Sequence, residues 1–272
     1  MSDSTRDKSF DHISSTANDT VKLLKSLDRK KERQETGLFL VEGAHFADEA
    51  LVNGWRPAYA FADIAALDRD LLLRLRAAGA RVATTTEKVL GAISGKDNPQ
   101  GIVAAFHQRL TSLADIRPAG RARYVALYEV RDPGNLGTVI RTADAAGCGG
   151  VILVGTTCDP FSVEAVRATM GSLFAVPLAA ATPEEFFSWC DATNVRVLAA
   201  SMRGEHAHHA AGYGERNCIL MGNEQSGLPP DVEGQCDELV RIPMAGRAES
   251  LNLSIAAGLM IYEAWRAQGF GR

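Results

Sequence analysis

The sequence predicts an α/β fold of two domains, and three observations support this prediction. The chain has 272 residues, which is enough for two compact domains or for one large α/β domain. Short apolar segments alternate with helical patterns along both halves of the chain. Near-continuous apolar segments such as VILVG indicate strands that are buried on both faces, as in a parallel sheet with helices on each side.

The first half is predicted to form a small α/β domain over residues 18–107. It follows a tail (residues 1–17) whose Ser, Thr and Asp content is typical of disorder. Val21, Leu24 and Leu27 recur at helical spacing and predict a helix over 18–31, with Asn18 placed to cap it. The next elements are, in order, an apolar run at 37–43, a helix at 44–52, a strand at 58–62, a helix at 67–78, and strands at 81–85 and 101–106.

The second half is predicted to form a larger α/β domain over residues 124–272. Residues 108–123, which include Pro118, Gly120 and several arginines, are typical of a linker between the two domains. The predicted elements are a strand ARYVALYEV, a helix at 135–146, a strand at 150–155, a helix at 163–169, a strand at 174–179, a helix opened by Thr182, strands at 195–201, 217–222 and 239–244, and a last helix at 251–268.

The composition excludes several classes of protein. Hydrophobic residues make up 46% of the chain and charged residues 23%, which is unlike a disordered or fibrous protein. No segment reaches the roughly 20 apolar residues of a membrane helix, and the polar N-terminus lacks the apolar centre of a signal peptide. The five cysteines, at 148, 158, 190, 218 and 236, form no CxxC pair. We therefore expect neither a disulfide framework nor a zinc site, and a cytoplasmic location.

Positive charge is concentrated in the first half of the chain. The net charge is −4, yet residues 1–123 carry 19 Lys and Arg against 16 Asp and Glu. The densest basic run is typical of contacts with a phosphate backbone, although a solvated helix face is the other interpretation. Its members are the RNA-binding candidates Lys22, Lys25, Arg29, Lys30, Lys31 and Arg33.

Three segments of the second half follow strands and carry polar residues. The first is EVRDPGNLGTVIRTADAAG, in which the DPG sequence predicts a turn and Asn135 the start of a helix. Arg141 lies six residues further on, about 120° around a helix from Asn135, so the two side chains flank one edge without stacking. A charge in this otherwise apolar run predicts a partner such as Asp144 or Glu129.

The second segment is MGNEQSGLPPD, where a buried strand runs into a glycine-rich turn that contains Glu224. Backbone N–H groups in such a turn can approach a ligand at the carboxyl edge of a sheet. The turn matches neither the dinucleotide fingerprint GxGxxG nor a Walker loop. The third segment is IPMAGRAESLNLSIAAG, where Ser250 and Asn252 have the side chains of helix caps and the last helix has a face of small residues.

Together and in this order, the three segments resemble the motifs of the SpoU (TrmH-type) RNA ribose 2′-O-methyltransferases of the SPOUT superfamily. The match covers roughly residue 124 to the C-terminus. The basic helix and the LFLVEG segment resemble, less specifically, the substrate-binding domain of the rRNA-type members. Gln225 stands where the family often has a glycine.

The resemblance implies a parallel sheet with a C-terminal trefoil knot that binds S-adenosylmethionine. It also implies a homodimer, for which the small-residue last helix is a suitable interface. The cofactor-binding residues that it implies are Leu198, Ala200, Met221, Gly222, Ile242 and Leu251. The catalytic residues that it implies are Asn135, Arg141, Glu224, Ser250 and Asn252.

The implied reaction moves a methyl group from a sulfonium to a ribose 2′-hydroxyl. This in-line displacement depends on positioning and on deprotonation of the hydroxyl. The resemblance gives Arg141 as the general base, but a guanidinium is normally protonated. Arg141 is therefore either a base perturbed by its site or a cation that stabilises the developing alkoxide, and Glu224 is the alternative base. Asn135 would orient Arg141 or the ribose.

Ribosomal RNA is the predicted substrate, because the basic first domain offers docking contacts beyond the reacting nucleotide. The alternatives are transfer to tRNA and, in a different class, an RNA-binding protein of the same fold without catalysis. The missing glycine fingerprint argues against a nicotinamide-dependent oxidoreductase. His206, His208 and His209 lack a second set of ligands and indicate an exposed loop, so no metal is predicted.

Overall fold

The computed structural model describes residues 10–66 and 68–271, and the chain divides into two compact units. The first unit contains the chain up to Arg109 together with Phe161–Val166. The second contains Leu110–Pro160 and the residues from Arg167 onward. Within the described ranges, no helix is long and apolar enough to cross a membrane.

The first unit is a mixed five-stranded sheet with helices packed against it. Its elements are β1 (Asp11–Ile13), α1 (Asp19–Ser26), α2 (Lys30–Thr36), β2 (Leu38–Glu42), α3 (Ala44–Val52), β3 (Pro57–Asp63), α4 (Arg69–Ala77), β4 (Arg81–Thr85), α5 (Glu87–Ser94) and β5 (Ile102–His107). The strand order is β1-β4-β3-β5-β2, and β5 runs antiparallel to both of its neighbours. Leu24, Phe61 and Leu90 lie in the core of this unit.

The tail predicted over 1–17 is wrong for its second part, because Asp11–Ile13 pairs in parallel with β4 and Phe10 is buried. An edge strand offers unpaired N–H and C=O groups, and these hold a segment whose composition alone is typical of disorder. Residues 1–9 lie outside the described residues, as does Leu67, the first residue of the helix predicted over 67–78. Helix α5 was not predicted from the sequence.

The single helix predicted over 18–31 is in fact two helices. Asn18 caps α1, and its Oδ1 accepts a hydrogen bond from Thr20 N at 2.9 Å. Arg33 of α2 is buried, and its Nη1 donates to the carbonyls of Leu27 at 2.8 Å and Asp28 at 2.7 Å. Carbonyls at the end of a helix have no partner within that helix, so Arg33 satisfies them and joins α2 to α1.

The second unit is a seven-stranded sheet in which all the strand pairs are parallel. Its elements are β6 (Ala122–Tyr128), α6 (Pro133–Ala145), β7 (Gly150–Val154), α7 (Val163–Thr169), β8 (Leu178–Ala181), α8 (Pro183–Thr193), β9 (Arg196–Ala200), β10 (His206–Ala207), β11 (Arg216–Met221), α9 (Pro230–Glu233), β12 (Glu238–Arg241) and α10 (Leu253–Ala267). The first residues of α7 belong to the segment that clusters with the first unit. The strand order is β10-β12-β9-β11-β6-β7-β8, which confirms the predicted α/β class.

The linker predicted over 108–123 differs from what the structure shows. Residues from Leu110 onward cluster with the second unit, and Arg123 is a buried residue of β6. Ile116 is buried, and its carbonyl accepts a hydrogen bond from Trp189 Nε1 at 3.0 Å. The segment rich in proline, glycine and arginine is therefore an irregular part of the second unit that packs against it, and it is not a linker.

Candidate active site and cofactor cavity

The three polar segments meet at the carboxyl edge of the seven-stranded sheet, where β6 and β11 lie side by side. Directly after β6, Glu129 adopts a left-handed backbone with φ of 49°, which is unusual for a residue other than glycine. Asn223, two residues after β11, donates from Nδ2 to the carbonyl of Glu129 at 2.8 Å. This bond joins the loop after β11 to the loop after β6.

Glu224 is the acceptor that organises the loop between β6 and α6. Its carboxylate oxygens accept hydrogen bonds from the backbone N–H groups of Arg131 at 3.1 Å and Asp132 at 3.0 Å, and from Asn135 Nδ2 at 3.3 Å. Burial opposes the charged form, but the hydrogen bonds outweigh it and lower the pKa of Glu224 below its ordinary value. At neutral pH Glu224 is therefore an ionised carboxylate that accepts hydrogen bonds.

Two asparagines extend this network to the last helix. Asn252 Nδ2 donates to Asn135 Oδ1 at 3.0 Å, so Glu224, Asn135 and Asn252 form one hydrogen-bonded chain. Asn252 also caps α10, because its Oδ1 accepts from Ser254 N at 2.9 Å. Both Asn252 and Asn135 thus lie in the first turn of a helix or at its cap, which fixes their backbone positions.

The turn after β11 is held closed by its own backbone. Asn223 and Gly227 exchange two backbone hydrogen bonds, at 3.0 Å and 2.9 Å. A Cβ atom on Gly222 would lie 2.4 Å from the carbonyl carbon of Gly227, so only glycine fits there. The left-handed position of the turn falls on Gly227, with φ of 65°, and not on Gln225, so the turn does not require a glycine at position 225.

A cavity of about 310 Å³ opens beside this turn, and we call it the carboxyl-edge cavity. Its volume is at the lower end of the range of small-molecule sites. The side chains around it combine an apolar wall with several hydroxyl, amide and carboxylate groups. They come from Ala200, Ser201, Met202, Met221, Gly222, Asn223, Glu224, Gln225, Ser226, Gly227, Val240, Ile242, Met244, Ser250, Leu251, Leu253 and Ala256.

Five of the six predicted cofactor-binding residues line the carboxyl-edge cavity, namely Ala200, Met221, Gly222, Ile242 and Leu251. Leu198 does not, because it is fully buried in the middle of β9. Ser201 and Met244 also line the cavity and were not predicted. Each lies within three residues of the end of a strand, which is the position where open parallel sheets bind ligands. An apolar wall for a nucleoside and polar groups for an amino acid fit the chemistry of S-adenosylmethionine.

Arg141 is not part of the hydrogen-bonded chain formed by Glu224, Asn135 and Asn252. It is exposed on α6 and, within the described part of the chain, has no hydrogen bond or ion pair with any side chain. The partnership with Asp144 or Glu129 is therefore not seen, because an exposed guanidinium is solvated and needs no partner. Ser250 is also exposed, but it lines the carboxyl-edge cavity together with Glu224.

The pKa of the Cys158 thiol is affected by the charge of Glu224. Burial, together with the charges of Glu224 and Asp132, raises the pKa of Cys158 to about 12. A thiol with this pKa stays protonated at neutral pH and is a weak nucleophile. Cys158 is therefore not a candidate nucleophile at this edge of the sheet.

The predicted RNA-binding residues of α1 and α2 fall into three groups. Lys22, Arg29 and Lys31 are exposed and form ion pairs with neighbouring carboxylates of their own helices. Lys25 and Lys30 are exposed and have no acidic partner within the described residues. Arg33 is the exception among the six, because it is buried between the helices and is not accessible to RNA.

Comparisons with known families and proteins cover both units. Residues 122–262 match the model of the SpoU rRNA Methylase family, and residues 18–104 match the MRM3-like substrate binding domain. The chain is 32% identical to the 23S rRNA (guanosine(2553)-2′-O)-methyltransferase RlmP of Bacillus subtilis, over 92% of this chain and 97% of that protein. It is 30% identical to the 23S rRNA (uridine(2479)-2′-O)-methyltransferase of Streptomyces viridochromogenes, over 90% and 88%.

Solved structures give the same result. An AdoMet-bound rRNA methyltransferase from Sinorhizobium meliloti is 46% identical, with a TM-score of 0.90 over 94% of this chain and 97% of that chain. The SpoU methyltransferase AviRb from Streptomyces viridochromogenes, solved in complex with AdoMet, is 28% identical, with a TM-score of 0.84 over 94% of this chain and 100% of that chain. The similarity therefore extends over both units.

Proposed function

Because the chain belongs to the SpoU rRNA methylase family, we propose that it methylates the 2′-hydroxyl of a ribose in ribosomal RNA, with S-adenosylmethionine as methyl donor. The observation that carries this proposal is the placement of all three polar segments at one edge of the sheet, beside a cavity whose side chains fit that cofactor. S-adenosylmethionine would supply a methyl group on a sulfonium: the ribose oxygen would bond to the methyl carbon in line, and the thioether sulfur would leave.

In this proposal Glu224 positions other groups instead of taking the proton. A general base works best when its pKa lies near the working pH, whereas the pKa of Glu224 is lowered by the hydrogen bonds that it accepts. Its carboxylate holds the backbone of residues 131–132 and the amide of Asn135. Asn135 and Asn252 then present their remaining hydrogen-bonding groups to the ribose, and Ser250 contributes a hydroxyl at the cavity wall.

Arg141 acts in this proposal as a cation. A guanidinium carries a positive charge, so it stabilises the negative charge that develops on the 2′-oxygen while the hydroxyl proton passes to solvent water. Arg141 forms no hydrogen bond with the other site residues within the described part of its own chain, and a homodimer would complete the site. Thr142, the next residue of α6, lies against Gly258 of α10, the helix that we propose as the dimer interface.

The first unit is proposed to bind the RNA. Lys25 and Lys30 offer positive charge without a carboxylate beside it, and Lys22, Arg29 and Lys31 lie on the same pair of helices. Neutralised phosphates release counterions, which makes such contacts favourable and dependent on salt. The relatives named above act on 23S rRNA, and a cytoplasmic location is part of our proposal for this chain.

The experiment that tests the function is a map of 2′-O-methyl groups in total RNA. The cells compared lack the protein or are complemented with the wild type or with Arg141→Ala. We expect one site in ribosomal RNA to disappear on deletion and to return only with the wild type. If every site persists, and the purified protein binds S-adenosylmethionine without methylating RNA, the protein is a binding module of this fold and the proposal is wrong.

A further inference from the structure

A second cavity lies at the opposite edge of the seven-stranded sheet, and we call it the amino-edge cavity. Its volume is about 330 Å³, and Tyr124, Gly149 and Pro177 place it where β6, β7 and β8 begin. The carboxyl-edge cavity lies where β9, β11 and β12 end. A strand of seven residues spans about 20 Å, so a ligand in the amino-edge cavity does not touch the groups that react.

The lining of the amino-edge cavity is rich in arginine. Arg117, Arg121 and Arg123 line it together with a single acidic residue, Asp115. Arg117 is exposed and has no partner among the residues that the structure describes. Arg121 is also exposed, and its Nη1 donates to the carbonyl of Gln268 at 3.1 Å, which holds the side chain in place. The cavity therefore presents more positive than negative charge.

Arg123 is a buried cation without a counter-ion, with 6% of its surface exposed. Its Nη1 donates to Gln268 Oε1 at 2.5 Å, its Nη2 donates to the carbonyl of Ala146 at 2.9 Å, and its guanidinium faces the ring of Trp265 at 5.7 Å. All three partners are neutral, and Nε has no partner at all among the described residues. An unpaired charge away from water is costly, so an anion beside it would be stabilising.

The neighbouring strand has the same deficit of partners. Asn217 of β11 is the register partner of Arg123 in β6, and it is fully buried. Neither Oδ1 nor Nδ2 of Asn217 has a hydrogen-bond partner within the described ranges. Buried polar groups are nearly always satisfied, so two paired residues at this edge have hydrogen-bonding groups that the described residues leave unused, although Asn217 itself does not line the amino-edge cavity.

From these observations we propose that the amino-edge cavity binds a phosphate group, supplied by a free phosphate ion or by an RNA backbone. Arginine forks match the oxygens of phosphate and bind them with two parallel hydrogen bonds. Arg117 and Arg121, which are exposed, supply these donors, and buried Arg123 adds a positive charge behind them. The proposal is independent of methyl transfer, because the cavity lies at the other edge of the sheet.

The test is a titration of the full-length protein with inorganic phosphate, by isothermal calorimetry at constant ionic strength maintained with chloride and without S-adenosylmethionine. Arg117→Ala is the informative variant, since Arg117 is exposed and removing it does not disturb the core. We expect saturable binding by the wild type and a dissociation constant at least fivefold higher for Arg117→Ala. Lys88→Ala, which removes an exposed charge from α5, is the control and should bind as the wild type does.

A short RNA oligonucleotide identifies the source of the phosphate. If RNA displaces inorganic phosphate from the wild type, and Arg117→Ala binds that RNA more weakly, the phosphate belongs to an RNA backbone. If phosphate binds equally well with and without RNA, the cavity takes the free ion. Absence of saturable binding, or equal affinity in the wild type and Arg117→Ala, overturns the proposal and leaves Arg123 as a structural residue whose vacant donor is satisfied by water.

Discussion

At the scale of single residues, the charge of Glu224 matters because of the N–H groups that surround it. Two backbone donors and one amide point at a single carboxylate, and these hydrogen bonds favour its charged form. The pKa of Glu224 is lowered in the folded protein, so its contribution to stability is present above the pKa of the unfolded chain, about 4.3. That contribution is lost as the pH falls through the folded-state pKa.

Glu224→Gln should therefore lower the free energy of unfolding and remove the part of it that depends on the charge of Glu224 and hence on pH. The glutamine amide places a donor where the carboxylate accepted, so we expect lower stability at pH 7 and a loss of methyl transfer. Chemical denaturation of both proteins from pH 7 to pH 3 measures the effect. The difference in free energy of unfolding should shrink toward low pH, and a difference that is constant across this range would contradict the role given to the charge.

Arg141 is predicted to contribute through its positive charge. Loss of one group that stabilises a developing oxyanion typically lowers kcat by about 10²–10³. We expect Arg141→Ala to show a loss of this size with unchanged affinity for S-adenosylmethionine, and Arg141→Lys to keep part of the activity. Steady-state methylation of ribosomal RNA is the measurement, with Asp144→Asn on the same helix as control. If the lysine variant were as inactive as the alanine variant, charge alone would not account for the role of Arg141.

At the scale of elements, the turn after β11 depends on Gly222. A Cβ atom there would also approach the carbonyl oxygen of Gly227 and the backbone N of Leu228, both at 2.7 Å. Overpacking against backbone typically costs about 1–3 kcal/mol, because backbone atoms do not move as easily as a side chain. Gly222→Ala should lose this much stability and should bind S-adenosylmethionine weakly, since the cavity wall is displaced.

Gly246→Ala is the matched control for this prediction. Gly246 lies in the third polar segment, and a Cβ atom there would meet no atom within 4 Å. Thermal unfolding and a cofactor titration of both variants give the comparison. Equal melting temperatures for the two variants would show that the turn tolerates a side chain and that Gly222 is not required.

The basic residues of helices α1 and α2 have two roles: the buried one stabilises the fold, and the exposed ones are available to bind RNA. The double variant Lys25→Ala with Lys30→Ala should bind ribosomal RNA more weakly and with a salt dependence reduced by about 0.7–0.9 per lysine in the slope of log K against log salt. Its stability should equal that of the wild type, because both lysines are exposed. RNA binding at several salt concentrations measures the slope, and an unchanged slope would place the RNA elsewhere on the protein.

Substitution of Arg33, in contrast to the two lysines, is expected to lower the stability of the protein. Hydrogen bonds from a charged group contribute about 1.5–3 kcal/mol, and Arg33 donates two of them to the carbonyls that end α1. Arg33→Ala should therefore lower the melting temperature markedly. Because Arg33 belongs to the basic run and yet is buried, a basic run by itself does not identify the residues that contact RNA.

At the scale of the whole molecule, the sequence predicts what local pattern and ordered motifs encode. Apolar runs identified the parallel sheet of the second unit, and the motifs identified Glu224, Asn135 and Asn252, which the structure joins by hydrogen bonds. Contacts between distant segments were not predictable in the same way. The burial of Arg33 and the pairing of Asp11–Ile13 with β4 depend on which segments the fold brings together, and polar composition gives no sign of either. The trefoil knot stays a prediction.

The last helix carries an apolar face that is exposed in the described part of the chain. Its buried residues, which pack within the unit, are Leu253, Ala257, Met260, Ile261 and Ala264. Ile255, Leu259 and Tyr262 repeat at intervals of three and four and are 57%, 42% and 44% exposed. Side chains at this spacing share one face of a helix, and contiguous apolar surface of this kind marks an interface between proteins.

A second copy of the chain is the occupant that we predict for this face, since symmetric pairs of identical subunits are the commonest oligomers. Leu259→Arg places a charge in the centre of the predicted interface, so sedimentation should show a dimer for the wild type and a monomer for the variant. Val52→Arg is the control, because Val52 is 74% exposed on α3 and its substitution should leave the dimer intact. We expect Leu259→Arg to keep its circular dichroism spectrum and to lose methyl transfer, since Arg141 forms no hydrogen bond with the described site residues of its own chain. A wild type that sediments as a monomer, or a fully active Leu259→Arg monomer, would show that one chain contains the complete site.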